Sequence, residues 1–183
     1  MAILGVDDFK SKIRGGGARP NLFQVTLNFP AYAGGNTELS SFLVRAATLP
    51  GSTIPEMIVP FRGRQLKMSG DRVFEPWATT IINDTDFDLR NAMERWMNGM
   101  NAHSANTGLV NPVDYQADLK VFQLDRDDNV LKVYIFRNAW PVNVASIELS
   151  TETTNAIEEF ECTWRYQHFE ASEVTSGISA VAG

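Results

Sequence analysis

The sequence predicts a mainly β fold, an antiparallel β-sandwich or barrel with one flanking α-helix. Three observations carry that expectation. Phe23, Val25, Leu27 and Phe29 alternate with Gln24, Thr26 and Asn28, the period of two that marks a half-buried strand. Residues 160–168 alternate in the same way over their whole length. Against these strands stands one clear helical stripe. Leu89, Ala92, Met93, Trp96, Met97 and Met100 fall at i, i+3, i+4, i+7, i+8 and i+11, so one face of a helix over 86–100 is continuously apolar.

Taken in order, residues 3–13 suit one or two helical turns, with Asp7 and Asp8 near their start, and Gly15-Gly16-Gly17 then breaks regular structure. Residues 1–18 read as a mobile N-terminal arm, 19–170 as the β domain and 171–183 as a loose tail of small and polar residues. Pro30 ends the first strand, Gly34-Gly35-Asn36 supplies a turn, and a second strand is expected at about 41–48. Residues 50–64 hold three of the eight prolines with Gly51 and Gly63. They read as a long excursion with short strand pieces, a length uncommon without a function. Over 73–82, Trp77, Thr79 and Ile81 share one face and Ala78, Thr80 and Ile82 the other, which suits a strand between two layers. Asp84 or Thr85 is placed to cap the helix, Asp86 and Asp88 favour its first turn, and Gly99 weakens its end. A polar loop over 101–113 leads to strands at about 115–124 and 130–138, joined by the turn formers Asp125–Asn129. Strands near 145–150 and 157–169 complete the domain.

The 183 residues suit one domain, and 44% hydrophobic content supports a real core. The net charge of −6 argues against a protein that grips nucleic acid. Charge is uneven: residues 1–100 carry 11 basic and 10 acidic groups, and 101–183 carry 5 and 12. One cysteine, Cys162, excludes an intrachain disulfide, and no stretch reads as a signal peptide or membrane span. Asp84, Asp86 and Asp88 imitate the start of a calcium loop, but Leu89 and Arg95 stand where Gly and Glu belong. His103 lacks an acidic residue to orient it, while His168 and Cys162 share the parity of Phe160 and Trp164 and read as packed. No nucleophile–base pair, zinc set or phosphate loop emerges.

Three collinear segments carry a further signal: Ala18-Arg19-Pro20-Asn21-Leu22-Phe23-Gln24-Val25, then Gly70-Asp71-Arg72-Val73-Phe74-Glu75-Pro76-Trp77 followed by Asn83-Asp84 and the helix, then Trp140-Pro141-Val142-Asn143-Val144 entering a block that ends at Phe169. In this order they resemble the tail tube proteins of contractile-tailed bacteriophages, over about 19–169. The resemblance implies a structural, non-enzymatic protein with no cofactor and no membrane anchor. It implies a homo-hexamer whose inner strands form a shared barrel, stacked into a hollow conduit within the tail sheath. Baseplate and tail terminator proteins would be its other partners, and tape measure protein and genomic DNA would pass the lumen without specific binding. Its place would be the virion, after synthesis in the host cytoplasm. By position, 19–25 and 157–169 would supply inner strands, and 50–72, with Arg62, Arg64, Lys67 and Arg72, would stack ring on ring. Parity assigns Gln24, Thr26 and Asn28, with Glu161, Thr163, Arg165 and Gln167, to the channel or its solvent side, Glu159 or Glu161 neutralising Arg165. The tube of a contractile bacteriocin or a type VI secretion-like machine stays an alternative, as do, in other classes, a carbohydrate-binding sandwich and a small β-rich enzyme.

Overall fold

The computed structural model describes residues 5–13 and 17–172. In chain order the elements are α1 (Val6–Lys12), β1 (Phe23–Leu27), α2 (Thr37–Leu43), β2 (Val44–Ala47), β3 (Ser52–Thr53), β4 (Glu56–Phe61), β5 (Arg64–Ser69), β6 (Val73–Phe74), β7 (Trp77–Ile82), α3 (Asp88–Met100), α4 (Pro112–Tyr115), β8 (Ala117–Leu124), β9 (Val130–Val144), β10 (Glu159–Arg165) and β11 (His168–Ala171). The main sheet runs β1-β8-β9-β10-β7-β2, with β11 also paired to β9. Every pairing is antiparallel. The tail expected over 171–183 lies outside the described residues beyond Ser172.

The long strand β9 turns this path into two layers. Its first half pairs with β8 and β11, and its second half with β10. The bend sits at Asn138, whose φ of 53° is left-handed, a conformation that asparagine tolerates better than most residues. The Asp118 carboxylate fixes it, accepting from the Asn138 N–H at 3.0 Å and from the Arg137 guanidinium. Arg137 also reaches Glu170 at 2.8 Å. One layer is therefore β1-β8-β9-β11 and the other is β9-β10-β7-β2.

The layers meet through their apolar faces. Trp77 of β7 stacks on Phe136 of β9 at 4.3 Å between ring centroids. Trp164 of β10 meets Trp96 of α3 at 5.6 Å, and Trp96 meets Phe29 at 5.8 Å. These three indoles are fully buried, and each N–H finds an acceptor: Trp77 the Thr48 carbonyl at 2.7 Å, Trp96 the Tyr115 carbonyl at 2.6 Å, and Trp164 the Thr79 hydroxyl at 3.0 Å. Buried polar groups without such partners would cost stability. Helix α3 buries Leu89, Ala92, Met93 and Trp96 as its spacing predicts, and Asp84 accepts from the Asp88 N–H at 3.1 Å.

Several expected elements are redrawn. The strand expected at about 41–48 forms over Val44–Ala47 as β2, while its first residues belong to a helix over 37–43, started where the Asn36 side chain accepts from the Leu39 N–H at 3.0 Å. Within that helix the buried Ser40 hydroxyl accepts from the Leu27 N–H at 3.0 Å, tying α2 to β1. No strand forms over 145–150, since β9 already continues to Val144. The 157–169 block divides at Tyr166–Gln167 into β10 and β11, and the break shifts its phase. His168 is consequently half-exposed beside Glu170 at 3.8 Å, not packed as its parity suggested. Gly99 also has another reason: a Cβ there would overlap the Tyr32 ring, whose hydroxyl donates to the Trp96 carbonyl at 3.2 Å.

Candidate functional site

Residues 50–72 are where the chain departs from its own core. The two-residue strands β3 and β6 pair at the base, and above them β4 and β5 form a hairpin with six residue pairs. Its loop is Arg62-Gly63, with φ of 45° and 77°. Two positive φ values are what a type I′ turn requires, and its twist matches that of the flanking strands. All twelve strand residues are exposed, so this hairpin projects from the domain with neither face covered by the described residues.

Register sorts its side chains. Met57 opposes Met68, Val59 opposes Leu66, and Phe61 opposes Arg64. One face is thus apolar apart from Arg64 at the tip. The other carries Glu56, Ile58, Pro60, Gln65, Lys67 and Ser69. The pair closing a two-residue loop exchanges hydrogen bonds, so the next pair, Pro60–Gln65, does not. The donor that proline lacks therefore faces the outer edge of β4, which blunts that edge against unselective pairing.

The four basic residues expected to act together occupy separate places. Arg62 lies over the Phe61 ring at 5.4 Å. Arg64 stands across from Phe61 on the apolar face. Lys67 lies on the opposite face and pairs with Glu56 at 3.0 Å. Arg72 sits between β5 and β6, at the hairpin base. The short strand pieces expected in this segment join into one ladder of six pairs. The signal was present in Met57-Val59-Phe61 and Leu66-Met68 alternating about an Arg-Gly pair.

The seven channel candidates are also divided. Gln24 and Thr26 of β1 point away from the core, as do Glu161, Thr163 and Arg165 of β10. These strands belong to different layers that face each other through the Trp77–Phe136 stack, so their outer surfaces look in opposite directions. Asn28 is held by its Nδ2–H bond to the Asp118 carbonyl at 2.7 Å. Gln167 lies in the break after β10, where its backbone N–H meets the Arg137 carbonyl at 3.1 Å. Glu159, one of two residues expected to neutralise Arg165, is paired with Arg45.

The groups weighed for chemistry are placed as follows. Burial pushes the Cys162 thiol pKa well above its ordinary value, which makes it a poor nucleophile. His103 has its backbone N–H bonded to the Asn98 side chain at 3.1 Å in an exposed loop.

A family profile described as phage tail tube protein matches residues 18–172. The chain is 33% identical over 165 residues to the tail tube protein of Serratia phage KSP90, covering 88% of this chain and 93% of that one. It is 31% identical over 167 residues to tail tube protein gp19 of Enterobacteria phage T4, covering 90% and 99%. Among solved structures, a chain of the anti-feeding prophage baseplate superposes with a TM-score of 0.64 at 13% identity, covering 85% of this chain and 95% of that one. A chain of the PVC sheath–tube complex, an extracellular contractile injection system, gives 0.62 at 14% identity, covering 91% and 97%.

Proposed function

The chain belongs to the phage tail tube protein family, and from that premise we propose that six copies close into a ring and that rings stack through the β4–β5 hairpin into a hollow conduit. The observation that carries the stacking role is the hairpin itself. A fully formed ladder with one face apolar but for Arg64, covered by none of the described residues, is suited to be covered by another chain. The apolar face supplies most of the contact, and Arg62, Arg64 and Arg72 at its tip and base supply electrostatic selection among acidic partners.

Ring closure draws on strand edges. The path of the main sheet ends at β1 and β2, and pairing between copies would extend it there. A head-to-tail contact closes when its rotation permits, and a second contact along the axis extends it. Of the two outward surfaces, that of the β9-β10-β7-β2 layer suits the channel better. It presents Glu161, Thr163, Arg165 and Thr80, with the neutralised pair Arg45–Glu159. The other layer turns the half-buried Phe122, Val133 and Ile135 outward beside Lys120, a surface suited to contact with a surrounding protein. The sheath, baseplate and terminator would meet the tube from outside and at its ends, while tape measure protein and DNA pass within. The assembly belongs to the virion, with its subunits made in the host cytoplasm.

Electron microscopy of concentrated protein, alone and with a purified baseplate, tests this reading. Stacked six-fold rings with an open lumen are expected. A subunit that stays monomeric under both conditions would refute it.

A further inference from the structure

We propose that α1 of one subunit docks on the apolar face of the β4–β5 hairpin of a second copy. The proposal deepens the stacking reading and rests on it: it names what the hairpin meets. Two apolar surfaces that the described residues leave uncovered carry it. No residue of α1 is buried, and Val6, Phe9 and Ile13 lie exposed on one side at i, i+3 and i+7. The helix has seven residues and is capped at its start, where the Asp8 carboxylate accepts from the Gly5 N–H at 3.2 Å. Isolated helices shorter than about 12–15 residues are marginal in water, so a helix this short needs a surface to hold it. The hairpin offers Met57, Val59, Phe61, Leu66 and Met68, all exposed.

The two surfaces fit in size and in charge. A helix is about 10 Å across and seven residues span about 11 Å. A ribbon of two strands about 5 Å apart and six residues long offers a face of similar width and about 20 Å of length. The hairpin is basic at its tip, where Arg62 and Arg64 have no acidic partner among the described residues; at its base both signs mix, with Glu56 paired to Lys67 and Asp71 next to Arg72. Helix α1 carries Asp7 and Asp8 in its first turn. Laid with its N-terminal end towards the tip, it brings Asp7 to Arg62 and Arg64. The ten residues 13–22 between α1 and β1 reach at most about 35 Å when extended, enough to cross to an adjoining copy.

Photocrosslinking in assembled tubes tests the pairing. Phe9→p-benzoylphenylalanine keeps an aromatic on the helix stripe. It is mixed with wild-type subunits grown in heavy nitrogen, assembled, irradiated and digested. The expected product joins residue 9 of a light chain to the 56–69 segment of a heavy chain. Tubes in which residue 9 never reaches that segment overturn the proposal, and so does a product confined to light–light pairs in a large excess of heavy subunits, which means docking within one chain. Leu66→p-benzoylphenylalanine reports the same contact from the other side, with 5–13 of a heavy chain as the expected product, and decides the matter if the first variant does not enter tubes. Exclusion of both variants from tubes by substitutions elsewhere neutral to the fold supports the contact only if truncation of residues 1–14 abolishes assembly as well; unimpaired assembly of that truncation overturns it. Failure of wild-type protein to form tubes at all refutes the tube reading instead.

Discussion

Replacing Val59 by Lys and Leu66 by Glu together should abolish tube growth while leaving the subunit folded. The pair sits directly opposed across β4 and β5, so the new charges attract and keep the hairpin paired. The five apolar residues of this face are 38–65% exposed in the subunit. Full burial of such a side chain is worth about 1.5–3 kcal/mol, so covering the remaining half gives about 1 kcal/mol each and about 4–7 kcal/mol per hairpin as an upper bound. The double variant removes about 2 kcal/mol of that, roughly a thirtyfold loss per contact, and adds the cost of desolvating two charges. Arg62→Glu with Arg64→Glu makes the informative contrast. Exposed ion pairs are worth about 0–1 kcal/mol each and are screened by salt, so that variant should assemble poorly at low ionic strength and recover as salt and protein concentration rise. The apolar-face variant should not recover. Sedimentation and negative-stain microscopy read assembly, and circular dichroism with thermal melting reads the fold. Normal polymerisation of Val59→Lys/Leu66→Glu at any salt concentration would refute the apolar-face argument.

Other outcomes follow from the core and the layers. Trp96→Ala removes a fully buried indole and leaves the Tyr115 carbonyl without its donor; a loss of about 3–5 kcal/mol, or roughly 10 °C in melting temperature, is expected by calorimetry. Gly99→Ala should lower the melting temperature, against the usual gain of about 1 kcal/mol inside a helix, because the Tyr32 ring occupies the space; Tyr32→Ala in the same chain should restore that gain. The Arg137 hydrogen bond holds the Glu170 carboxyl below its ordinary pKa. A depressed folded pKa adds stability above the unfolded value and loses it as pH falls through the folded one, so the melting difference between wild type and Glu170→Gln should be fullest near neutrality and vanish in acid. Cys at Thr163 should be shielded from a bulky thiol reagent applied outside an assembled tube, whereas Cys at Lys120, on the opposite layer, should change its labelling only when sheath is added; buried Cys162 supplies a quiet background.

The legible parts of this fold are those where burial imposes a period. Alternation in 23–29 and 160–166 and the stripe from Leu89 to Trp96 each pack one face on the core, and the sequence shows it. The 37–43 helix was missed because its length is two turns and its start depends on a side-chain bond from Asn36. The unbroken course of β9 through 130–144 was missed because Asn138 and Pro141 look like stops, while Asp118, twenty residues away, holds the bend. Parity failed at His168 for a related reason: one break at Tyr166–Gln167 exchanges the faces of everything after it. In the sequence the hairpin shows only short strand pieces, because prolines and glycine punctuate it. Its alternation is of a different kind, since the apolar side faces none of the described residues. Channel residues are the least legible, because parity says only which side chains leave the core, and two layers leave it in opposite directions.

That last distinction separates what stabilises the subunit from what would assemble it. The core closes within one chain: its three central tryptophans are buried and hydrogen-bonded, and the bend in β9 is held by a local carboxylate. The end strands of the main sheet, meanwhile, are short, at five residues in β1 and four in β2, and β2 is further interrupted by a register shift between Val44 and Ala46. Short, bulged edges pair poorly with arbitrary strands. In the proposed assembly a partner would have to match several weak features at once, edges at the sides and an apolar ribbon along the axis. Such an arrangement would favour controlled growth from an existing end over spontaneous aggregation: a free subunit would meet only one feature at a time, whereas the end of a tube would present all of them in register.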